Sequence, residues 1–443
     1  MSRRPKSKAF QAPKGMNDVL PGVQKYWGKF FKVSKELAVY YGFDVIETPI
    51  LEYADLFKKG MGLNTDVIEH EMYTLKTKGG DFLALRPELT AGAVRAYLEN
   101  GFANQPQPIK FFHYGPVFRH ESPQAGRYRE FHQADFDVFG EEDAILDAQV
   151  IQLIYSILIE LGLKNLSIQI NSIGDKNCWP KFREELKMYY RSKVPKLCKN
   201  CKVRFKENPL RMLDCKEEEC AALKAAAPNS VDYLDKACHD HFKLVLEFLD
   251  ELGLPYNLNP YLVRGLDYYT RTVFEIVSEN TAGSQTALAA GGRYDYLVSQ
   301  LGGKSTPAMG GSLGIERVII EMQRQEVKIS LTKPKTRVFL VQLGDLAKKK
   351  SLKIFEEFRK NGIYVSESFG RDSIKAQLRV ADRLGADLAL IIGQKESLDG
   401  TAILREMQSG VQETIPWKKI IDEVRKRLKK IAPRAPQLTN NNE

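Results

Sequence analysis

Between Phe118 and Gln133 the chain reads Phe118-Arg119-His120-Glu121, then Ser122 to Gly126, then Arg127-Tyr128-Arg129-Glu130-Phe131-His132-Gln133. Two apolar, aromatic-rich stretches flank a loop of Pro, Gly and charged residues, which predicts a hairpin with a long functional tip. Its arginines carry the chemistry. A guanidinium fork binds phosphate oxygens bidentately, and Glu121 beside Arg119 could hold that fork rigid. A surface hairpin laced with salt bridges would read the same way over so short a string.

Three further segments add to this one: Leu262-Val-Arg-Gly-Leu-Asp-Tyr-Tyr-Thr-Arg-Thr-Val-Phe-Glu275, Ala290-Gly-Gly-Arg-Tyr-Asp295 and Gly310-Gly-Ser-Leu-Gly-Ile-Glu-Arg317. Either glycine cluster alone reads as a tight turn or a close backbone approach. Taken in order, the segments resemble the histidyl-tRNA synthetases among the class II aminoacyl-tRNA synthetases. The hairpin resembles motif 2 of that class and residues 310–317 resemble motif 3. Glu47-Thr48-Pro49 with its upstream helix resembles the dimer-forming motif 1. Residues 262–275 and 290–295 resemble two peptides specific to the histidyl family. The resemblance runs from Pro13-Lys-Gly-Met-Asn-Asp18 to the last helix.

That resemblance implies a ligase that joins L-histidine to ATP as histidyl-adenylate and passes it to the 3′ end of tRNA(His), with Mg2+ accompanying the ATP. It places Arg119 on the α-phosphate, Glu121 and Phe131 around the adenine, and Arg127 and Arg317 on the terminal phosphates or the far face of the base. Arg264 resembles the arginine that sits by the α-phosphate where other class II enzymes place a metal ion, and it is the first choice for a catalytic residue. Glu88 and Thr90, in Arg86-Pro-Glu-Leu-Thr90, and Gln133 match positions that bind the α-amino and carboxylate groups of histidine. Asp137, Tyr268, Tyr269 and Tyr294 match the imidazole pocket. Such a pocket needs a partner at each ring nitrogen, because polar groups left unpaired by the wrong ring reject it strongly. Tyrosines packed in a core would look alike. No side chain is nominated for the transfer step, since the adenylate phosphate could serve as its base. The competing reading is a synthetase-like regulatory subunit of histidine biosynthesis that has lost catalysis. Such paralogues usually lack the anticodon-binding domain and degrade the motif arginines, whereas this chain keeps both.

Cys198, Cys201, Cys215 and Cys220 come near the two-pair spacing of a structural zinc site, although the second pair is wider than usual. A helical segment can also hold four free thiols, and the family's insertion needs no metal for catalysis. Zinc is therefore possible but not favoured, and no metal ligand is assigned. His239 and His241 flank Asp240 on what reads as an ordinary helix.

These residues need elements to hold them. The 443 residues suffice for about three domains at roughly 150 residues each. With 43% hydrophobic and 28% charged residues the composition is that of a globular chain. No apolar run approaches the roughly 20 residues of a membrane span. The basic segment Met1–Lys8 is followed by no apolar signal core, and clustered cysteines suit a reducing compartment, so the expectation is cytoplasmic. A net charge of +10 suits a polyanionic partner such as tRNA but equally a solvated surface.

Apolar spacing predicts a helix over Val23–Tyr41 and a strand at Phe43–Ile46. Strands are expected at Phe82–Leu85, Ile109–Phe118 and Ala134–Phe139, with a helix after Pro87. A strongly amphipathic helix at Asp143–Leu161 and a strand at Ser167–Ile173 follow. Residues 176–254 read as a mostly helical insertion, and strands return at Tyr261–Val263 and Thr272–Val277, before a helix from Ile315. With the resemblance, the expected fold is α+β, a six-stranded-type antiparallel class II sheet flanked by helices, making a catalytic domain over 1–330, and the likeness to motif 1 implies a homodimer. Beyond the polar 331–335 stretch, alternating strands and helices predict an α/β domain over 335–432, which resembles the anticodon-binding domain shared by several class II enzymes, and a disordered tail at 433–443. Its basic helices, Lys348 to Lys353 and Arg425 to Lys430, would suit phosphate contacts.

Overall fold

The computed structural model describes residues 10–62, 65, 67–124, 126–215, 217–279, 287–329, 337–370 and 373–431. The basic N-terminal segment Met1–Lys8, the polar stretch at 331–335 and the tail at 433–443 lie outside the described residues. The chain divides into two units, Met1–Ile329 and Ser330–Glu443.

The first unit contains strands β1 (Asp44–Val45), β2 (Leu51–Tyr53), β3 (Thr74–Lys76), β4 (Phe82–Leu85), β5 (Ile109–Phe118), β6 (Glu130–Phe139), β7 (Leu166–Ser172), β8 (Tyr256–Leu258), β9 (Thr270–Ser278), β10 (Ala287–Arg293) and β11 (Ala308–Gly314). Its helices are α1 (Gln24–Tyr40), α2 (Ala54–Met61), α3 (Thr90–Glu99), α4 (Ala144–Glu160), α5 (Trp179–Arg191), α6 (Lys199–Glu207), α7 (Glu218–Lys224), α8 (Lys236–Glu251), α9 (Leu297–Gln300) and α10 (Ile315–Arg324). The main sheet runs β1-β5-β6-β11-β10-β9-β7-β8. Its six inner strands are antiparallel, as expected, and each short edge strand lies parallel to its neighbour.

β5 and β6 form the predicted hairpin, paired from Ile109↔Phe139 to Phe118↔Glu130. Alternation along β6 decides what each face does. Ala134, Phe136 and Val138 enter the large core beneath α1, α4, α8 and α10, while Gln133, Asp135 and Asp137 point to the other side. There Phe111 and Phe139 pack with α2 and α3.

The sequence reading needs four corrections. Phe82–Leu85 is a strand, but it belongs to a separate three-stranded sheet, β2-β4-β3. Tyr261–Val263 is not a strand; the pairing edge is β8, five residues earlier. α4 is not amphipathic, because it lies in the core and buries ten of its 17 residues; a helix wetted on one side would show a polar stripe. The last helix of the 176–254 stretch, α8, puts Phe242, Val245 and Leu249 into the main core against α4. Only the helices before it gather around their own cluster of Phe182, Leu186, Tyr190 and Met212.

The second unit comprises β12 (Val338–Gln342), α11 (Asp345–Lys360), β13 (Val365–Glu367), α12 (Ile374–Arg383), β14 (Leu388–Ile392), α13 (Gln394–Asp399), β15 (Thr401–Glu406), β16 (Gln412–Pro416) and α14 (Ile420–Lys430). Its sheet order is β13-β12-β14-β15-β16. The first three strands are parallel and the last two antiparallel, giving the expected mixed α/β unit. Val338, Leu340, Leu388 and Leu390 face one core; Phe339, Val341, Ala389 and Ile391 face another.

Candidate active site

A cleft of about 1040 Å3, open solvent included, lies over the face of the main sheet opposite α4. Twelve of the thirteen residues singled out above line it: Glu88, Thr90, Arg119, Glu121, Arg127, Phe131, Gln133, Arg264, Tyr268, Tyr269, Tyr294 and Arg317. Asp137 stands behind the wall, 1% exposed. Its Oδ1 accepts bonds from the Tyr294 hydroxyl and, at 3.4 Å, from Thr90 Oγ1, while Oδ2 meets His113 Nε2 at 2.8 Å. Burial opposes the His113 charge, but Asp137 outweighs it and raises the imidazole above its ordinary value. The tyrosines do both things weighed in the sequence: Tyr268 and Tyr294 belong to the apolar cluster under α2 and α3 and also wall the cleft.

At one end four guanidinium groups gather. Arg119 leaves the end of β5, donates from Nε to Pro87 O at 2.9 Å and lies 5.3 Å from the centre of the Phe131 ring. Arg127, at the hairpin tip, meets Glu121 at 3.4 Å. Arg317, in the first turn of α10, is tied to Gly126 O at 2.9 Å and Ala287 O at 3.2 Å. Burial and then the nearby Arg127 hold Arg317 below its ordinary pKa, the mark of a positive field that an anion would relieve. Arg264 pairs with Glu275 of β9, and among the described residues its buried Nε has no partner.

At the other end carboxyls dominate. Glu88 is buried and accepts the backbone N–H groups of Thr90 and Ala91, each at 2.8 Å, at the start of α3. Burial raises its carboxyl above the usual range. Gln133 donates to Ser312 Oγ at 2.8 Å, and its buried Oε1 has no partner among the described residues. Ser312 donates in turn to Asp135 at 2.5 Å. Burial pushes Asp135 up to about 7, with His113 opposing and Asp137 adding to the rise.

The glycine clusters prove to be close approaches inside strands, not turns. Gly291 faces Gly311 and Gly292 faces Gly310 across β10 and β11. A Cβ on Gly291 would stand 2.2 Å from Gly310 O, and one on Gly310 would stand 2.5 Å from Asp137 Oδ1. Arg293, between these glycines and Tyr294, is fully buried and structural: its Nε donates to Asp147 of α4 at 2.8 Å, and His241 meets the other oxygen at 2.8 Å. The helix carrying His241 is thus ordinary, but the histidine itself is a buried partner.

Sequence reasoning missed Asp135, Ser312 and Glu275. Asp135 was findable, since residues 131, 133, 135 and 137 share one face of a strand. Glu275 was quoted in its peptide without a role; only the fold reveals that it meets Arg264.

Residues 15–318 match the family model described as histidyl-tRNA synthetase, and residues 337–427 match an anticodon binding domain. A histidine–tRNA ligase of Dehalococcoides mccartyi is 44% identical over 419 residues, covering 95% of this chain and 100% of that protein. That of Halothermothrix orenii is 44% identical over 416 residues, covering 94% and 99%. The solved apo histidyl-tRNA synthetase of S. aureus is 32% identical with a TM-score of 0.75, covering 94% of this chain and 99% of that one. A Bacillus halodurans structure titled ATP phosphoribosyltransferase regulatory subunit/histidyl-tRNA synthetase shares the fold at 22% identity, with a TM-score of 0.61 over 88% and 99%. A family model spanning more than half of the chain, with relatives alike along their whole length, shows that this protein belongs to the histidyl-tRNA synthetase family.

Proposed function

We propose that this chain activates L-histidine with ATP and transfers it to the 3′ end of tRNA(His), through the residues gathered in the cleft. The observation that carries the reading is the convergence of twelve motif residues, from separate stretches of chain, on one cavity with cationic and carboxyl ends. A polyphosphate suits the first end and an amino acid the second.

In the first step a carboxylate oxygen of histidine attacks the α-phosphorus, the O–P bond forms and pyrophosphate leaves. Arg119 and Arg264 stabilise charge on the α-phosphoryl oxygens; Arg127 and Arg317 hold the terminal phosphates; Phe131 and Glu121 frame the adenine. Preformed donors of this kind act where the charge develops. Glu275 keeps Arg264 in place between turnovers. Mg2+ accompanying the ATP would supply further neutralisation of the phosphates, and Glu275 is an oxygen donor in the cleft that would help to hold it.

Glu88, Thr90 and Gln133 take the α-amino and carboxylate groups. Because the Tyr294 hydroxyl donates to Asp137, its oxygen is left to accept, which suits an imidazole N–H. Tyr268 and Tyr269 complete that pocket. An apolar ring of similar size would leave that oxygen without a donor. In the second step the terminal ribose hydroxyl attacks the histidyl carbonyl carbon and AMP leaves, its phosphate able to take the proton.

The chain is also proposed to work as a homodimer in the cytoplasm. Register puts Leu51, Tyr53, Leu75, Leu83 and Leu85 on one face of the small sheet, and Leu51, Tyr53 and Leu75 are exposed. Apolar sheet faces of this kind mark interfaces. No helix among the described residues is long and apolar enough to cross a membrane.

The test is isotope exchange of pyrophosphate into ATP with each of the twenty amino acids. Exchange with histidine alone is expected; a well-folded dimer that exchanges with none would refute the enzyme reading and favour a regulatory role.

A further inference from the structure

Four sulfurs from separate turns of the helical stretch converge on one point. Cys198 stands at the start of α6 and Cys201 within its first turn; Cys215 follows the 3-10 turn Pro209–Asp214, and Cys220 lies in α7. Their Sγ atoms all lie within 4.8 Å of one another, and Cys198 and Cys215 are 3.8 Å apart. Sulfurs around a tetrahedral zinc, each about 2.3 Å from the ion, are separated by roughly 3.8 Å. A disulfide would need about 2.05 Å, and all four cysteines are free. Two backbone groups already donate to sulfur, Cys201 N to Cys198 Sγ at 3.3 Å and Cys198 N to Cys220 Sγ at 3.4 Å. N–H groups aimed at ligand sulfurs support them as thiolates. Three of the four cysteines are buried and Cys198 is partly exposed, so an ion there would be enclosed yet reachable.

A second group, Asp175, Cys178, Asp235 and Cys238, meets the same distance limit. Hydrogen bonding accounts for it without an ion. Asp175 accepts from Asn177 N at 2.9 Å, Asp235 from Cys238 N at 2.8 Å, and Cys178 Sγ from Asp235 N at 3.2 Å. Backbone N–H groups reach two sulfurs of the first group as well, so what separates the two is the donor set: four thiols, the set of a closed structural zinc site, against two thiols and two carboxylates.

We infer that Cys198, Cys201, Cys215 and Cys220 bind one structural zinc ion, reversing the preference for packed thiols drawn from the spacing alone. The thiols would bind as thiolates and release their protons to solvent. Four sulfurs fill a tetrahedral shell, so no position stays open for substrate. The site fixes a segment that reaches the cleft: Leu213 and Asp214 line a cavity shared with Arg127, Arg264 and Arg317, and Asn208 donates to Asp267 of the Arg264 peptide at 3.1 Å.

The test is the metal content of the full chain, purified without chelator, by mass spectrometry. One zinc per chain is expected, released as a mercurial titrates the thiols. Cys201→Ser combined with Cys220→Ser should contain none, while Cys178→Ser should keep it. Cobalt added to the metal-free chain should give the intense visible bands of tetrahedral thiolate coordination; this reads the unaltered sequence and decides the matter even if the double variant does not fold. A folded wild-type chain that stays free of zinc after incubation with it, zinc retained by the double variant, iron in its place, or weak octahedral cobalt bands would each overturn the inference.

Discussion

Arg264 and Asp135 sit in one cleft with opposite electrostatic tasks, and each gives a measurable expectation. Arg264→Ala removes a donor proposed to act on the developing α-phosphoryl charge and leaves Glu275 without its partner. Histidine-dependent pyrophosphate exchange should fall by about 10²–10³-fold in kcat, the usual cost of losing one preorganised donor, with far-ultraviolet dichroism unchanged. Arg264→Lys should recover only part, because the charge returns without the fork. For Asp135 the sign is fixed by its raised pKa, about 7 against 3.8 for a free carboxyl. Between those two values the folded chain holds a proton that the unfolded chain has released. Its contribution therefore favours folding at the acid end and is lost as pH rises toward about 7, an effect on the order of a few kcal/mol. Asp135→Asn should remove that slope: urea midpoints at pH 5 and pH 8 should differ less, relative to wild type, on the alkaline side. An unchanged pH difference would mean that the carboxyl is ionised in the folded protein.

At the scale of elements, the paired glycines of β10 and β11 set the spacing of the sheet beneath the cleft. Gly291→Ala would push a Cβ onto Gly310 O and Gly311 Cα, both backbone atoms that cannot swing aside. A loss of about 1–3 kcal/mol is expected, read as a fall in the denaturant midpoint. Gly28→Ala is the opposite control. It lies on the exposed side of α1 with nothing within 4 Å of its Cβ, and should gain roughly 0.5–1 kcal/mol from helix propensity. The sequence showed that glycines at 291 and 310 mattered but not why, because a turn and a strand-to-strand contact ask for the same residue. Long periodic elements such as α1, β5 and α10 were legible from apolar spacing. β4 was legible as a strand and illegible as to its sheet, since pairing partners are set by tertiary packing. α4 was misjudged for the same reason: a helix buried on several sides carries little periodicity to read. Among site residues, Arg119, Arg264 and Gln133 were found because motif peptides carry them, whereas Ser312 and Glu275 drew no role although they lie in quoted peptides, because their partners Asp135 and Arg264 are set by register and packing. Asp135 lay outside those peptides and was legible only through the alternation of its strand.

For the molecule as a whole, the two units should divide the labour. Each has its own core, Phe136, Ile154 and Ile276 within one and Leu340, Leu390 and Val424 within another, so each is expected to fold by itself when the chain is cut between Ile329 and Ser330. The apolar face of the small sheet belongs to the first unit. Leu83→Arg there should convert dimer to monomer in light scattering and lower exchange with it. A chain ending at Ile329 should keep histidine-dependent exchange within about twofold of the full chain, because the cleft residues all precede that point. Charging of tRNA should suffer far more. A second binding unit on the same chain raises avidity by roughly 10²–10⁴, so kcat/KM for tRNA should fall by at least about 10²-fold. Phosphate contacts also make such binding fall steeply with salt. The truncated chain, stripped of α11 and α14 with their basic last turns, should show a shallower salt dependence. Full charging by the truncated chain would mean that the second unit does not grip tRNA, and loss of exchange from a folded truncation would mean that the first unit depends on it.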